Sequence, residues 1–73
     1  MGIRDAEFQK SLGEKIGATR LEKGLSIRKL ALLADMEHHQ LLRIEKGLVD
    51  IRLSTLRKLA TALTVRESDL FDF

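Results

Sequence analysis

Two histidines stand side by side in "MEHHQLLRIEKG", residues 36–47, with Glu37, Arg43, Glu45 and Lys46 around them. Neighbouring imidazoles, carboxylates and cations can ligate a metal, move a proton or hydrogen-bond to a partner. Spacing argues against a metal. Adjacent residues of a helix point about 100° apart, whereas two histidines that share an ion on a helix sit four residues apart. The chain has two histidines and no cysteine, too few ligands to close a structural zinc site. No metal and no cofactor is therefore expected. Catalysis finds no support either: there is no nucleophile beside a base, no glycine-rich phosphate loop and no pair of carboxylates at a plausible site. The chain is not expected to be an enzyme, which leaves hydrogen bonding to a partner.

The elements that must position these groups emerge from apolar spacing. In the quoted stretch Leu41, Ile44 and Glu45 share one face at i, i+3 and i+4, while His38, His39, Leu42, Arg43 and Lys46 populate the other sides. The inward stripe thus carries a carboxylate, which needs a cation if it is to be buried. Arg20 is placed to supply it, because it follows Phe8, Leu12 and Ile16 at four-residue intervals with Thr19 and Lys23 beside it. This spacing predicts a first helix over 5–23 with Asp5 as its cap, and Arg20 and Glu45 as a structural ion pair. Gly13 and Gly17 fall inside that helix, each costing up to ~1 kcal/mol against alanine, so its first half is expected to fray or to start late.

Gly24 and Gly47 are the expected helix stops. Between them Ser26 can cap a second helix over 27–34 that turns Ile27, Leu30, Ala31 and Ala34 inward. Lys29 occupies the place of the reciprocal acid, so the capping box is incomplete. Asp35, tolerant of left-handed angles, then pivots the chain into a third helix over about 37–46. Beyond Gly47, Leu53, Leu56, Leu59, Ala60 and Leu63 predict a fourth helix over 53–63. Thr64 and Val65 turn the chain into "RESDLFDF", a short fifth helix ending in Leu70, Phe71 and Phe73.

Composition agrees with this reading. Seventy-three residues with no proline, three aromatics and 44% hydrophobic content suit one small all-α domain spanning 1–73. No run approaches the roughly 18 uninterrupted apolar residues of a membrane span, and residues 1–10 lack the apolar block of a secretion signal. A cytoplasmic protein with no membrane partner is expected. Formal net charge is +2, yet Glu67, Asp69 and Asp72 crowd the end of the chain with no base among them. The rest of the chain is correspondingly basic.

The order of these residues resembles the Cro/repressor-type helix-turn-helix transcriptional regulators, the XRE family. The likeness runs through "LGEKIGATRLEKGLSIRKLALLADMEHHQLLRIEKG" and "LSTLRKLATALTVRESDLF". It rests on "KGLS" before the second helix, Leu30-Ala31, the turn at Ala34-Asp35-Met36, "RIEKG" at 43–47 and "TLRKLATAL". The resemblance implies a compact five-helix lambda-repressor-like fold, in which the second helix lies across the phosphate backbone and the third enters the major groove. His38 and His39 match the family's main base-reading positions, with Leu42 and Arg43 one turn on. Imidazole can bond purine N7 and O6, Arg43 can pair with guanine, and Leu42 can cover a thymine methyl. Phosphate contacts are implied for Ser26, Ile27, Arg28 and Lys29 at the start of the second helix, and for Lys46 and Arg52.

The function implied by the resemblance is that of a regulator binding a palindromic double-stranded DNA operator as a homodimer, of repressor, antitoxin or restriction-modification controller type, associated with the nucleoid. Leu70, Phe71 and Phe73 are the expected dimer contact. A cognate toxin or another protein is the alternative partner. The chain departs from the family at Ile27 (commonly glutamine), Glu37 (a Ser or Thr cap), Asp35 (glycine), Ile51 (proline), Arg66 (a serine cap) and Leu32 (commonly charged). Ile27, Leu32 and Leu42 make the reading face more apolar. With the negative charge of Glu37 they support the second functional reading, a protein-interaction module on the same fold with weak or no DNA binding.

Overall fold

Four α-helices follow the predicted spacing closely: α1 (Asp5–Glu22), α2 (Ile27–Leu33), α3 (His38–Glu45) and α4 (Leu53–Leu63). The computed structural model describes residues 5–73, and residues 1–4 of the expected domain lie outside the described residues. Asp5, expected as a cap, is itself the first described residue of α1. The expected fifth helix is instead a 3-10 turn over Glu67–Phe71. Its backbone bonds tightly from Asp69 N–H to the Arg66 carbonyl at 3.0 Å, while the Asp69 carboxylate accepts from the Arg66 N–H at 3.0 Å. Such i to i+3 bonding suits short pieces of a few residues.

The connections carry the signals the sequence held. Ser26 Oγ accepts from the Lys29 N–H at 3.0 Å and starts α2. Asp35 adopts a left-handed φ of 54° between α2 and α3, and Thr64 does the same after α4 with φ 59°. Glu37 precedes α3 without a side-chain capping bond, so the family's missing Ser or Thr cap is not replaced.

The core lies where the four helices converge. Ile16, Leu30, Leu41 and Leu59 are fully buried there, with Leu12, Ala31, Ala34, Ile44, Leu56, Ala60 and Leu63 close to it. Each large aliphatic side chain fully removed from water contributes about 1.5–3 kcal/mol. Leu53, in register with the α4 stripe, is 77% exposed because it sits at the helix's first turn. Ile27 is half-buried and packs against the core, so only part of its side chain is left to the surface.

Leu70 requires a correction. It is fully buried in its own chain's core, so it is not available for a dimer contact; the 3-10 turn folds it under α1 and α4. Phe71 and Phe73 remain exposed and gather on Phe8, with ring centroids 5.9 and 5.6 Å away.

The α1 glycines also behave differently from expectation. The helix is continuous from Asp5 through both of them, because they form the surface on which α3 lies. A Cβ on Gly13 would strike the backbone carbonyl oxygens of Ile44 and Glu45, the latter at 2.8 Å. On Gly17 it would meet a Glu45 carboxylate oxygen at 2.9 Å. Gly47, which ends α3 with φ +72°, abuts Lys10 of α1 so closely that a Cβ would lie 2.5 Å from the Lys10 Cα. Two helix backbones thus approach without intervening side chains. Gly13→Ala is expected to cost about 1–3 kcal/mol through overpacking against backbone that cannot swing aside. Urea denaturation checks this; a Gly13→Ala protein as stable as the parent would mean that α1 and α3 are not in such contact.

Candidate nucleic-acid interface

Half of α3 faces inward and fixes what the other half can present. Leu41 and Ile44 are buried, and Glu45 turns toward α1. Arg20 meets it with two parallel bonds, Nε to Oε2 at 2.8 Å and Nη2 to Oε1 at 3.1 Å. The third guanidinium nitrogen, Nη1, donates to the Leu25 carbonyl at 2.9 Å. The two side chains are only 13% and 12% exposed. One planar group therefore ties together α1, the α1–α2 connection and α3, a geometry a lysine ammonium cannot reproduce. The two residues predicted to form a pair are brought together in this way.

On the opposite side of α3, His39, Gln40, Arg43 and Lys46 are exposed, while His38 and Leu42 are half-buried. His39 and Arg43 lie one turn apart on the same row, as residues i and i+4 must. The two imidazoles are 5.4 Å apart, edge to face. Among the described residues no group of three or more His, Cys, Asp or Glu is placed to hold a metal ion. The positions carrying the expected phosphate contacts surround this helix. Ser26, Arg28 and Lys29 are exposed at the start of α2, and Arg52 is exposed just before α4. Of the first-turn amides of α2, that of Lys29 is occupied by Ser26, while those of Ile27 and Arg28 precede the first intrahelical bond. Neither the Arg20–Glu45 nor the exposed Arg57–Glu67 ion pair engages these cations.

Sequence spacing alone missed part of the surface. The expected Arg52 lines one depression between α3 and α4 with four side chains that the spacing did not single out, Gln40, Ser54, Thr55 and Lys58, and with Asp50. Gln40 stands on α3 between two expected base readers, and its amide has the donor and acceptor that match an adenine edge. Its position in the helix was the available signal. The proximity of Lys58 to it had none, since the fold joins residues from separate helices.

A family model described as helix-turn-helix (HTH_3) matches residues 16–70. The chain belongs to the helix-turn-helix family, of the XRE type. The four residues from Ala34 to Glu37 that join α2 to α3 form the turn of that motif. This helix-turn-helix chain is 42% identical over 74 aligned positions to an uncharacterised HTH-type transcriptional regulator of Rickettsia prowazekii, an alignment covering 97% of the chain and 56% of that protein. The chain thus spans a little over half the length of that relative. It is 36% identical over 62 positions to the control protein C.BamHI of Bacillus amyloliquefaciens, covering 84% of this chain and 76% of that one. Among solved structures, the restriction-modification controller protein C.AhdI of Aeromonas hydrophila superposes with a TM-score of 0.85 at 32% identity, covering 86% of this chain and 96% of that one. An HTH_3 family transcriptional regulator of Vibrio cholerae superposes at 0.88 with 28% identity, covering 93% of this chain and 38% of the other. No described helix of this helix-turn-helix protein is long and apolar enough to cross a membrane.

The Arg20 geometry yields a stability order. Arg20→Ala leaves the Glu45 carboxylate buried and unpaired, and is expected to cost about 3–5 kcal/mol. Arg20→Lys keeps the charge but cannot span both carboxylate oxygens and the Leu25 carbonyl, so it should lose at least ~1 kcal/mol. Chemical denaturation of the three proteins checks the order, and a lysine variant as stable as the parent would contradict it.

Proposed function

We propose that this protein is a sequence-specific regulator of transcription that binds double-stranded DNA by laying the outer face of α3 in the major groove. The observation that carries the reading is the exposed row of His39, Arg43 and Lys46 on a helix whose inner face is pinned to α1 by Arg20. In this reading His38, His39, Leu42 and Arg43 face base edges, with Gln40 beside them. Ser26, Arg28, Lys29, Lys46, Arg52 and the backbone of Ile27 hold phosphates on either side. The likeness to C.BamHI in sequence and to C.AhdI in sequence and fold supports a controller type of regulator over an antitoxin. Half-burial of Ile27 against the core reduces, without abolishing, the apolar surface that had favoured a protein-interaction module.

We also propose a homodimer on a palindromic operator, joined through exposed Phe71 and Phe73. A twofold protein on DNA places half-sites about one helical turn, roughly 34 Å, apart. Selection of bound duplexes from a random pool tests the function as a whole. A palindrome with that spacing is expected, and the absence of any enriched sequence would overturn the reading.

Two measurements address the parts. On a mixed-sequence duplex, log affinity should fall linearly with log salt, and Lys29→Ala or Arg52→Ala should each reduce the slope by about 0.9. A slope unchanged in both would place their side chains away from phosphate. Sedimentation of Phe71→Ala/Phe73→Ala should show monomer at concentrations where the parent is dimeric, and an intact dimer would move the contact elsewhere.

A further inference from the structure

Leu42 breaks the rule that the other half-buried apolar side chains of this chain obey. Every other half-buried hydrophobic side chain among the described residues, from Phe8 to Val65, packs against the core, and Leu42 does not. It lies instead on α3 one turn beyond His38 and immediately before exposed Arg43. The outer half of α3 therefore carries two neighbouring rows, a polar one through His39 and Arg43 and a second that runs from an imidazole to a branched aliphatic group. A leucine in the second row cannot donate or accept a hydrogen bond. Pressed into a groove lined with polar base edges, it would lose water and gain nothing unless an apolar group met it. The floor of the major groove offers one such group, the methyl on C5 of a pyrimidine.

We infer that Leu42 is a specificity-determining residue that reads a pyrimidine C5-methyl group, thymine's or that of 5-methylcytosine, in the same half-site as the base bonded by Arg43. The inference rests on the proposed major-groove reading by α3. Thymine and 5-methylcytosine present this methyl at the same place in the groove, so the protein distinguishes a methylated pyrimidine from a bare one at that position. Cytosine methylation there strengthens binding, while methylation elsewhere in the half-site lacks this contact. Burial of one methyl group against an aliphatic side chain changes affinity about four-fold.

The test uses the intact chain and the duplex that it enriches from a random pool. Each half-site thymine is replaced in turn by deoxyuridine, which removes only the methyl, and each cytosine by 5-methylcytosine, which adds it. Affinities are measured for the parent, Leu42→Ala and Leu42→Met, with circular dichroism confirming helicity. At one position per half-site, deoxyuridine should weaken the parent and Leu42→Met about four-fold while leaving Leu42→Ala within two-fold, which assigns the methyl to thymine. A comparable gain from 5-methylcytosine at one position, again lost in Leu42→Ala, assigns it to cytosine. The proposal is overturned if no methyl changes the parent's affinity, or if the change persists undiminished in Leu42→Ala, since the methyl would then act through DNA shape. In either case the enriched duplex still supports sequence-specific DNA binding, the proposed function. Failure to enrich any duplex is a different result and overturns both.

Discussion

The bidentate contact between Arg20 and Glu45 is the constraint on which the presentation of α3 depends. Burying a carboxylate on an apolar helix face is unfavourable unless a cation meets it with good geometry. Here the cation arrives from α1, and its remaining nitrogen takes the Leu25 carbonyl. Three segments distant in sequence are thereby held in one arrangement. A hydrophobic pair of similar volume can match the stability of a buried ion pair, but it lacks the directional bonds that Arg20 makes to Glu45 and to the Leu25 carbonyl. The ion pair specifies which residues of α3 face inward, and so which are left outside.

Close backbone approach makes that pair possible. Gly17 leaves room for the Glu45 carboxylate beside α1, and Gly13 lets the carbonyls of Ile44 and Glu45 come up to the helix. Gly47 ends α3 with a positive φ and closes against Lys10. The outer face of α3 is consequently borne by a short helix seated on backbone as well as on side chains. Such a seat suits a reading function, in which a displacement of about 1 Å would misplace every hydrogen bond to a base edge.

Much of this was encoded locally. Four-residue recurrence marked α1, the i, i+3, i+4 pattern marked α2 and α3, and the leucines marked α4, each to within two residues of the observed ends. Arg20 and Glu45 could be paired from their spacing because each put a charge on an apolar stripe and the opposite signs matched. What the pattern could not convey was tertiary. A helical glycine is a weakness by propensity, and only the neighbouring helix turns it into a contact surface. Leu70, Phe71 and Phe73 are equivalent by composition, and the 3-10 geometry alone decides that the leucine is buried while the rings stay outside. That Gln40 and Lys58 line one depression likewise depends on how the fold brings α3 and α4 to its two sides rather than on any spacing along the chain.

Backbone amide NMR of the isotopically labelled chain, titrated with the duplex that it selects, would locate the DNA on the protein. The account predicts that the largest shifts fall on Ser26 to Lys29, on His38 to Arg43, and on Lys46 and Arg52, while the buried face of α4 stays nearly unchanged. Shifts centred instead on the exposed Arg57 and Glu67, with α3 undisturbed, would contradict it.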